Sequence, residues 1–231
     1  NDDFGCDMND LSDPAIDVYD NAMFIIALDY LLEMAPDSPQ ASRWKSLREG
    51  IERNVRAHLW DEKRQKFIPH IYPEKSPIPE GFDELAIHYH GGTAVAIEAG
   101  LLSKDEIRTV NAQMLENVRL SGMPSIGLTL YPVYPDGFFH GGMSKAYLYQ
   151  NGGDWTWFGG RMIQQLVVNG MVEEAYAEIH PMIERVIQND GFYEWYGKGG
   201  VPSGSGNFKG SAGVLSKAIE LLRDWAEKNK S

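Results

Sequence analysis

Apolar residues recur at helical spacing in seven stretches of this chain, and the stretches alternate in character. The first, about Asp17 to Met34, carries Val18, Ala22, Met23, Phe24, Ile25, Ile26, Ala27, Leu28, Leu31 and Leu32. It is apolar nearly all round, which predicts burial on every side. The next, about Gln40 to Trp60, sets Trp44, Leu47, Ile51, Val55 and Leu59 on one stripe among charged residues and predicts a surface helix. The alternation repeats. Ala86 to Ala99 reads as buried. Ser103-Lys104-Asp105-Glu106 is a capping box that opens a second amphipathic helix, with Ile107, Val110, Met114, Leu115 and Val118 on its stripe. Trp155 to Val168 reads as buried, Val172 to Gln188 as amphipathic, and Ser211 to Trp225 as buried again.

The order is therefore inner, outer, inner, outer, inner, outer, inner. Connections alternate as well. Ala35 to Pro39, Gly100 to Ser103 and Asn169-Gly170 are brief, whereas long loops precede each buried helix. Antiparallel hairpins then bring all the long loops to one end. An all-α toroid of helical hairpins fits this pattern better than a bundle or a solenoid, because a solenoid needs a fixed period that these unequal loops lack. A complete six-hairpin barrel requires more chain than this. The expectation is a single αα-hairpin unit spanning residues 1–231, the C-terminal part of an (α/α)6 barrel whose upstream segment lies before Asn1. Two short strand segments, Lys66 to Tyr72 and Ile126 to Tyr131, are expected to pair inside the long loops.

Composition narrows the partners. A core of ordinary size follows from 231 residues with 43% hydrophobic and 23% charged content. The net charge of -12 repels phosphate backbones and argues against nucleic acid. No apolar run reaches the roughly 20 residues of a membrane span. Cys6 is the only cysteine, so an intrachain disulfide and a thiolate metal cluster are excluded. The start at Asn1 reads as processed or truncated; a periplasmic or secreted setting is slightly favoured over the cytoplasm.

Candidate chemistry sits in the long loops. The first holds Asp2, Asp3, Asp7, Asp10 and Asp13, which offer a general acid, oxygen ligands for Ca²⁺, or simple helix caps. The second ends in His88-Tyr89-His90-Gly91-Gly92. Without a third ligand nearby no metal site is expected; hydrogen bonding to a polar ligand or burial are the competing readings. The third contains His140 and then Gln150-Asn151-Gly152-Gly153-Asp154-Trp155-Thr156-Trp157. Aromatic faces beside amides and carboxylates suit carbohydrate, since rings stack on sugar C–H groups and the polar groups take the hydroxyls. The fourth sets Glu194 among Phe192, Tyr193, Trp195 and Tyr196, surroundings suited to tuning a carboxylate over a ring-shaped substrate. A Gly/Ser run follows that lacks the Lys-Ser/Thr ending of a P-loop, so no nucleotide and no cofactor is expected. The esterase elbow and the zinc-peptidase motif are also absent.

From Tyr149 onward the chain resembles the six-hairpin (α/α)6 glycosidases: trehalases, processing α-glucosidases, glucoamylases and uncharacterised bacterial relatives. Gln150-Asn151-Gly152-Gly153 is similar to that group's QNGG segment. Phe192 to Tyr196, the Gly/Ser loop and Ser211-Ala212-Gly213 are similar to its ending. The resemblance implies Glu194 as general base and an Asp of the first loop as general acid, with Asp7 the better match and Asp10 the fallback. It implies inverting hydrolysis, exo-acting on a neutral α-linked oligosaccharide. Substrate contacts are expected from His88, His90, His140, Gln150, Asn151, Asp154, Trp155, Trp157, Tyr193 and Trp195. The alternatives are a sugar epimerase or isomerase working through histidines, a non-catalytic carbohydrate-binding domain, and a phosphorylase, for which no basic cluster supplies a phosphate pocket.

Overall fold

The computed structural model describes residues 14–139 and 141–230. Among these residues seven α-helices follow one another in the expected order. They are α1 (Val18–Met34), α2 (Ala41–His58), α3 (His90–Glu98), α4 (Lys104–Ser121), α5 (Thr156–Val168), α6 (Val172–Asn189) and α7 (Lys209–Lys228). The four inner helices stand in a row, α1 against α3, α3 against α5 and α5 against α7, while α2 backs α1 and α6 backs α5. Outer α4 is tied to its neighbours by polar contacts. Asn117 bonds His90 of α3, Glu106 pairs with Arg56 of α2, and Asn111 bonds Glu178 of α6. The expected capping box is present: Ser103 Oγ accepts from the Glu106 amide and Glu106 Oε2 from the Ser103 amide. Among the described residues no helix is long and apolar enough to cross a membrane.

The core runs along the inner row through Val18, Ala22 and Ile25, then Ala94 to Ile97, then Met162, Ile163 and Leu166, then Leu215 and Ala218. Close approach of the helices depends on small residues. A Cβ on Gly160 of α5 would stand 2.9 Å from a Val214 methyl of α7, so a side chain there would force the pair apart.

Two expectations about burial need correction. Helix α1 is buried only through Val18, Ala22, Ile25 and Leu28; Phe24, Tyr30, Leu31 and Met34 face outward. Helix α7 is amphipathic, burying Ser211, Leu215 and Ala218 while Ile219 and Trp225 are exposed. Both helices stand at the ends of the row, and Ile219 and Trp225 line a groove that α7 shares with α6.

Strands are two residues long and serve to knit the loops. Strands β1 (Trp60–Asp61) and β2 (Lys66–Phe67) pair within the second loop. Strand β3 (His88–Tyr89) pairs with β4 (Leu130–Tyr131), joining the second loop to the third. Strand β5 (Trp195–Tyr196) pairs with β6 (Pro202–Ser203) in the fourth. Of the two expected segments, Lys66-Phe67 pairs as a hairpin inside its own long loop, whereas Leu130-Tyr131 pairs across to the second loop. Helix α3 also starts four residues later than Ala86, because a short turn at Glu84–Ala86 and then β3 occupy that stretch.

Between α4 and α6, Asn111 Nδ2 donates to Glu178 Oε1 at 2.8 Å, while Glu178 Oε2 and Asn111 Oδ1 are buried without partners among the described residues. Burial pushes the Glu178 carboxyl up to about 7, nearby Glu174 adds to the rise, and the Asn111 bond opposes it. A carboxyl raised in the fold binds its proton more tightly than the unfolded chain does. Its stabilisation is full below the ordinary carboxylate range and is lost as pH rises through about 7. Glu178→Gln should thus melt near wild type at pH 5. At pH 8 it should be more stable by about 2 kcal/mol. Thermal melts at the two pH values check this; an equal shift at both would discount the buried carboxyl.

Candidate active site at the loop end

The N-termini of α1, α3, α5 and α7 point to one end, where the loops before them meet. Backbone bridges fasten these loops together: Ile16 to Ile71, Leu128 to Asp154, and Asp154 to Tyr196. The last of these matters most. The Asp154 amide donates to Tyr196 O at 2.9 Å and the Tyr196 amide to Asp154 O at 2.8 Å, so the fourth loop is seated on the third.

Glu194 lies just before β5 and is half-buried. Its amide donates to Ser205 O at 2.9 Å, and the Ser205 amide donates to its Oε2 at 3.3 Å. Among the described residues it forms no salt bridge. The carboxylate rests against Gly204, whose φ is +70° and where an added Cβ would fall 2.5 Å from Glu194 Oε2. Gly204→Ala should cost about 1–2 kcal/mol for the left-handed backbone and displace the carboxylate as well. Under the function proposed below, activity should then fall further than the loss of stability explains. A melting curve and a rate both matching wild type would remove Gly204 from the account.

An aromatic lining continues from this carboxylate. Trp195 approaches Tyr149, which meets Trp155 edge-on at 4.9 Å between centroids. Trp155 contacts Phe158 and Phe208, and Phe158 meets both Trp157 and Tyr19 of α1. Trp157 carries the Arg161 guanidinium over its ring at 4.1 Å, and Arg161 in turn pairs with Glu98 of α3. Tyr193, half-buried, packs against Gly206 and Tyr196, and its carbonyl accepts from Ser211 Oγ at 3.0 Å. The structure thus gathers Glu194, Tyr193, Trp195, Trp155 and Trp157 at one place. Trp155 is a wall rather than a platform, because it is 5% exposed and its Nε1 donates to Tyr149 O.

The amide and acid residues of the third loop divide into two kinds. Asn151 is fully buried and its side chain accepts from the Tyr134 amide and donates to Tyr134 O, which shapes the loop. Asp154 is likewise fully buried. Both its carboxylate oxygens lie within bonding distance of the Ser125 hydroxyl, and one stands 2.7 Å from Arg185 Nη1. Arg185 reaches in from α6, stacks 4.0 Å over the Tyr196 ring and donates to Thr156 Oγ1. Both are loop anchors in this geometry, with no surface offered to a ligand. Gln150 differs: it is half-buried, and its side-chain oxygen has no partner among the described residues.

The histidines are not brought to this place. His90, 2% exposed, accepts at Nε2 from Asn117 of α4 and is pushed down to about 3, first by burial and then by its neighbours His88 and Lys66. His88 turns into a groove with Arg108, Thr109, Gln113 and Asn117 of α4, and burial followed by Lys66 holds it down to about 4. Lys66 itself is buried, donates to Ile87 O at 2.5 Å, and is lowered by burial to about 8. His140, Asp7 and Asp10 lie outside the described residues.

Two groups escaped the sequence reading. One is Arg185, which reads as a surface charge on an amphipathic helix. The other is Glu84, whose Oε1 accepts from Tyr134 and Tyr72 hydroxyls at 2.6 and 2.7 Å and contacts His70 Nδ1 at 2.9 Å. Burial alone would raise this carboxyl, but His70 and the two hydroxyls outweigh it and hold it below the usual range. The cluster locks the second loop to the third. No spacing in the sequence announces it.

No family model and no curated protein matches this chain. Solved structures do. The GH63 mannosylglycerate hydrolase from Thermus thermophilus, solved in complex with Tris and D-glycerate, aligns with a TM-score of 0.62 at 18% identity, covering 91% of this chain and 46% of that one. This is the fold of a helical-toroid glycoside hydrolase. An uncharacterized conserved protein from the same organism aligns with a TM-score of 0.62 at 17% identity, covering 91% and 47%. A sialidase aligns with a TM-score of 0.60 at 11% identity, over 81% of this chain and 17% of its own. The chain thus spans about half the length of the hydrolase and of the uncharacterized protein.

Proposed function

We propose that residues 1–231 act as one catalytic-type unit, the C-terminal part of an (α/α)6 barrel, in an inverting glycoside hydrolase that is exo-acting on a neutral α-linked oligosaccharide. Glu194 is the general base. Its proton acceptor role rests on one observation above all: a half-buried carboxylate that forms no salt bridge among the described residues stands beside an aromatic lining at the loop end. Tyr193, Trp195 and Trp157 offer ring faces to sugar C–H groups, and Gln150 offers an amide to a hydroxyl.

In this reading Asp7, or failing it Asp10, protonates the glycosidic oxygen while Glu194 takes a proton from water on the opposite face of the ring. Water then attacks the anomeric carbon, the C–O bond to the leaving group breaks, and the leaving oxygen carries away the acid's proton. The two carboxyls need a separation of about 6.5–9.5 Å to hold that water.

The likeness in fold to the mannosylglycerate hydrolase guides the choice of substrates. Aryl α-mannosides, aryl α-glucosides and mannosylglycerate form the first screen, run on the gene product as the cell makes it. Release from at least one is expected. Sugar binding without release from any would favour a carbohydrate-binding domain. The histidine-based epimerase reading draws no support from His88 and His90, which are held neutral far below the pH of use and face α4.

A further inference from the structure

We propose that Arg185 is a positioning residue for Glu194; this rests on the hydrolase reading of that carboxylate. Arg185 lies on outer helix α6, yet it is 5% exposed and its guanidinium reaches the loop end of the inner helices. Nη1 stands 2.7 Å from an Asp154 carboxylate oxygen. Nη2 donates to Thr156 Oγ1 at 2.6 Å. The central carbon of the guanidinium lies 4.0 Å over the centroid of the Tyr196 ring. These three contacts bracket the site along the chain. Asp154 and Thr156 flank Trp155, and Tyr196 follows Glu194 and Trp195 in the fourth loop. Tyr196 is fully buried and exchanges two backbone bonds with Asp154, so one guanidinium holds both sides of the bridge that seats the fourth loop on the third.

Net stability does not explain a charge in this place. Desolvation of a buried ion pair offsets much of its attraction, and well-packed apolar residues of the same volume can do as well. An apolar pair cannot fix direction. The guanidinium is planar and presents its donors in a fixed fork, so it sets Asp154, Thr156 and Tyr196 at defined angles at once. The β5–β6 hairpin needs that support. Gly199, Gly200 and Gly204 all adopt positive φ, and Val201 between the strands is exposed. Glu194 is bonded to Ser205 within the same loop, so its carboxylate goes where the hairpin goes. A misplacement of about 1 Å at a reacting group can cost on the order of 10²-fold in rate.

Arg185→Lys and Tyr196→Leu, made singly and together in the natural gene product, test this. Lysine keeps a charge opposite Asp154 but loses the fork and the flat stack, and leucine keeps apolar bulk but removes the ring face. Two readouts are taken at a temperature where each variant is folded: amide hydrogen exchange along the chain, and steady-state kinetics on a substrate found in the glycoside screen. Exchange should quicken about tenfold over residues 193–205 while the β1–β2 hairpin, residues 59–68, stays as in wild type. In the same variants kcat should fall by roughly 10–100-fold with KM held within about twofold. The double variant should fall no further than the worse single one, because both changes remove the same contact. Wild-type exchange over residues 193–205 would overturn the proposal. So would equal acceleration along the whole chain, which a merely structural strut produces, and so would a normal kcat beside a loosened hairpin. The exchange readout needs no turnover. An active Glu194→Gln would remove the hydrolase reading and leave the exchange result standing, so the two failures are distinguishable.

Discussion

Asp154→Ala should destabilise the fold by roughly 3–5 kcal/mol, the largest loss expected of any single substitution considered. The Asp154 carboxylate is fully buried and stands 2.7 Å from Arg185, itself 5% exposed. Removing it strands a guanidinium in the interior and leaves Ser125 Oγ without its acceptor. The pair is weak evidence for net stabilisation, since an apolar replacement of both partners can do as well. Breaking one half is the costly step, and against a total of about 5–15 kcal/mol for a domain it removes a large share. Denaturant unfolding measures it directly. A midpoint shift worth less than about 1 kcal/mol would mean that water reaches Arg185 in solution. Double replacement of Asp154 and Arg185 by apolar residues should recover part of the loss.

Glu194→Gln should lower kcat by a factor of roughly 10²–10⁴ while leaving substrate affinity nearly unchanged. Glutamine has the same shape, and its amide oxygen can still accept from the Ser205 amide, so the β5–β6 hairpin keeps its bonds. What disappears is the capacity to take a proton from water. Calorimetric titration of the variant with substrate should therefore give binding close to wild type, and its melting curve should overlay. Activity retained in Glu194→Gln would remove the base from this position. A variant that neither binds nor melts normally would instead point to a structural role for the side chain.

The helices were legible because burial writes a 3.6-residue period into the chain. The capping box at Ser103 and the end of α1 at Met34 fall where sequence places them. The start of α3 did not, since His88 and Tyr89 are claimed by β4, a partner far along the chain. The apolar girth of α1 signalled neighbours on all sides, and the described residues fill only part of that demand. In the site, Glu194 stood out through the aromatics beside it in sequence. Asp154 and Asn151 looked equally ligand-like, because polar residues in a Gly-rich loop read alike whether they face a sugar or hold the loop. The distinction lies in Arg185 and Tyr134, which meet them only through the tertiary fold. For His88 and His90 the sequence left ligand contact and burial as competing readings, because the partner that they face, α4, is invisible to local spacing.

The stereochemistry of the product tests the central claim most directly. Proton NMR of the first turnovers on an α-linked substrate should show the β-anomer accumulating before mutarotation mixes the two. That is the signature of water activated by Glu194 on the face opposite the leaving group. Accumulation of the α-anomer first would contradict the account, because retention requires a carboxylate nucleophile about 5–5.5 Å from the acid in place of a base with room for water.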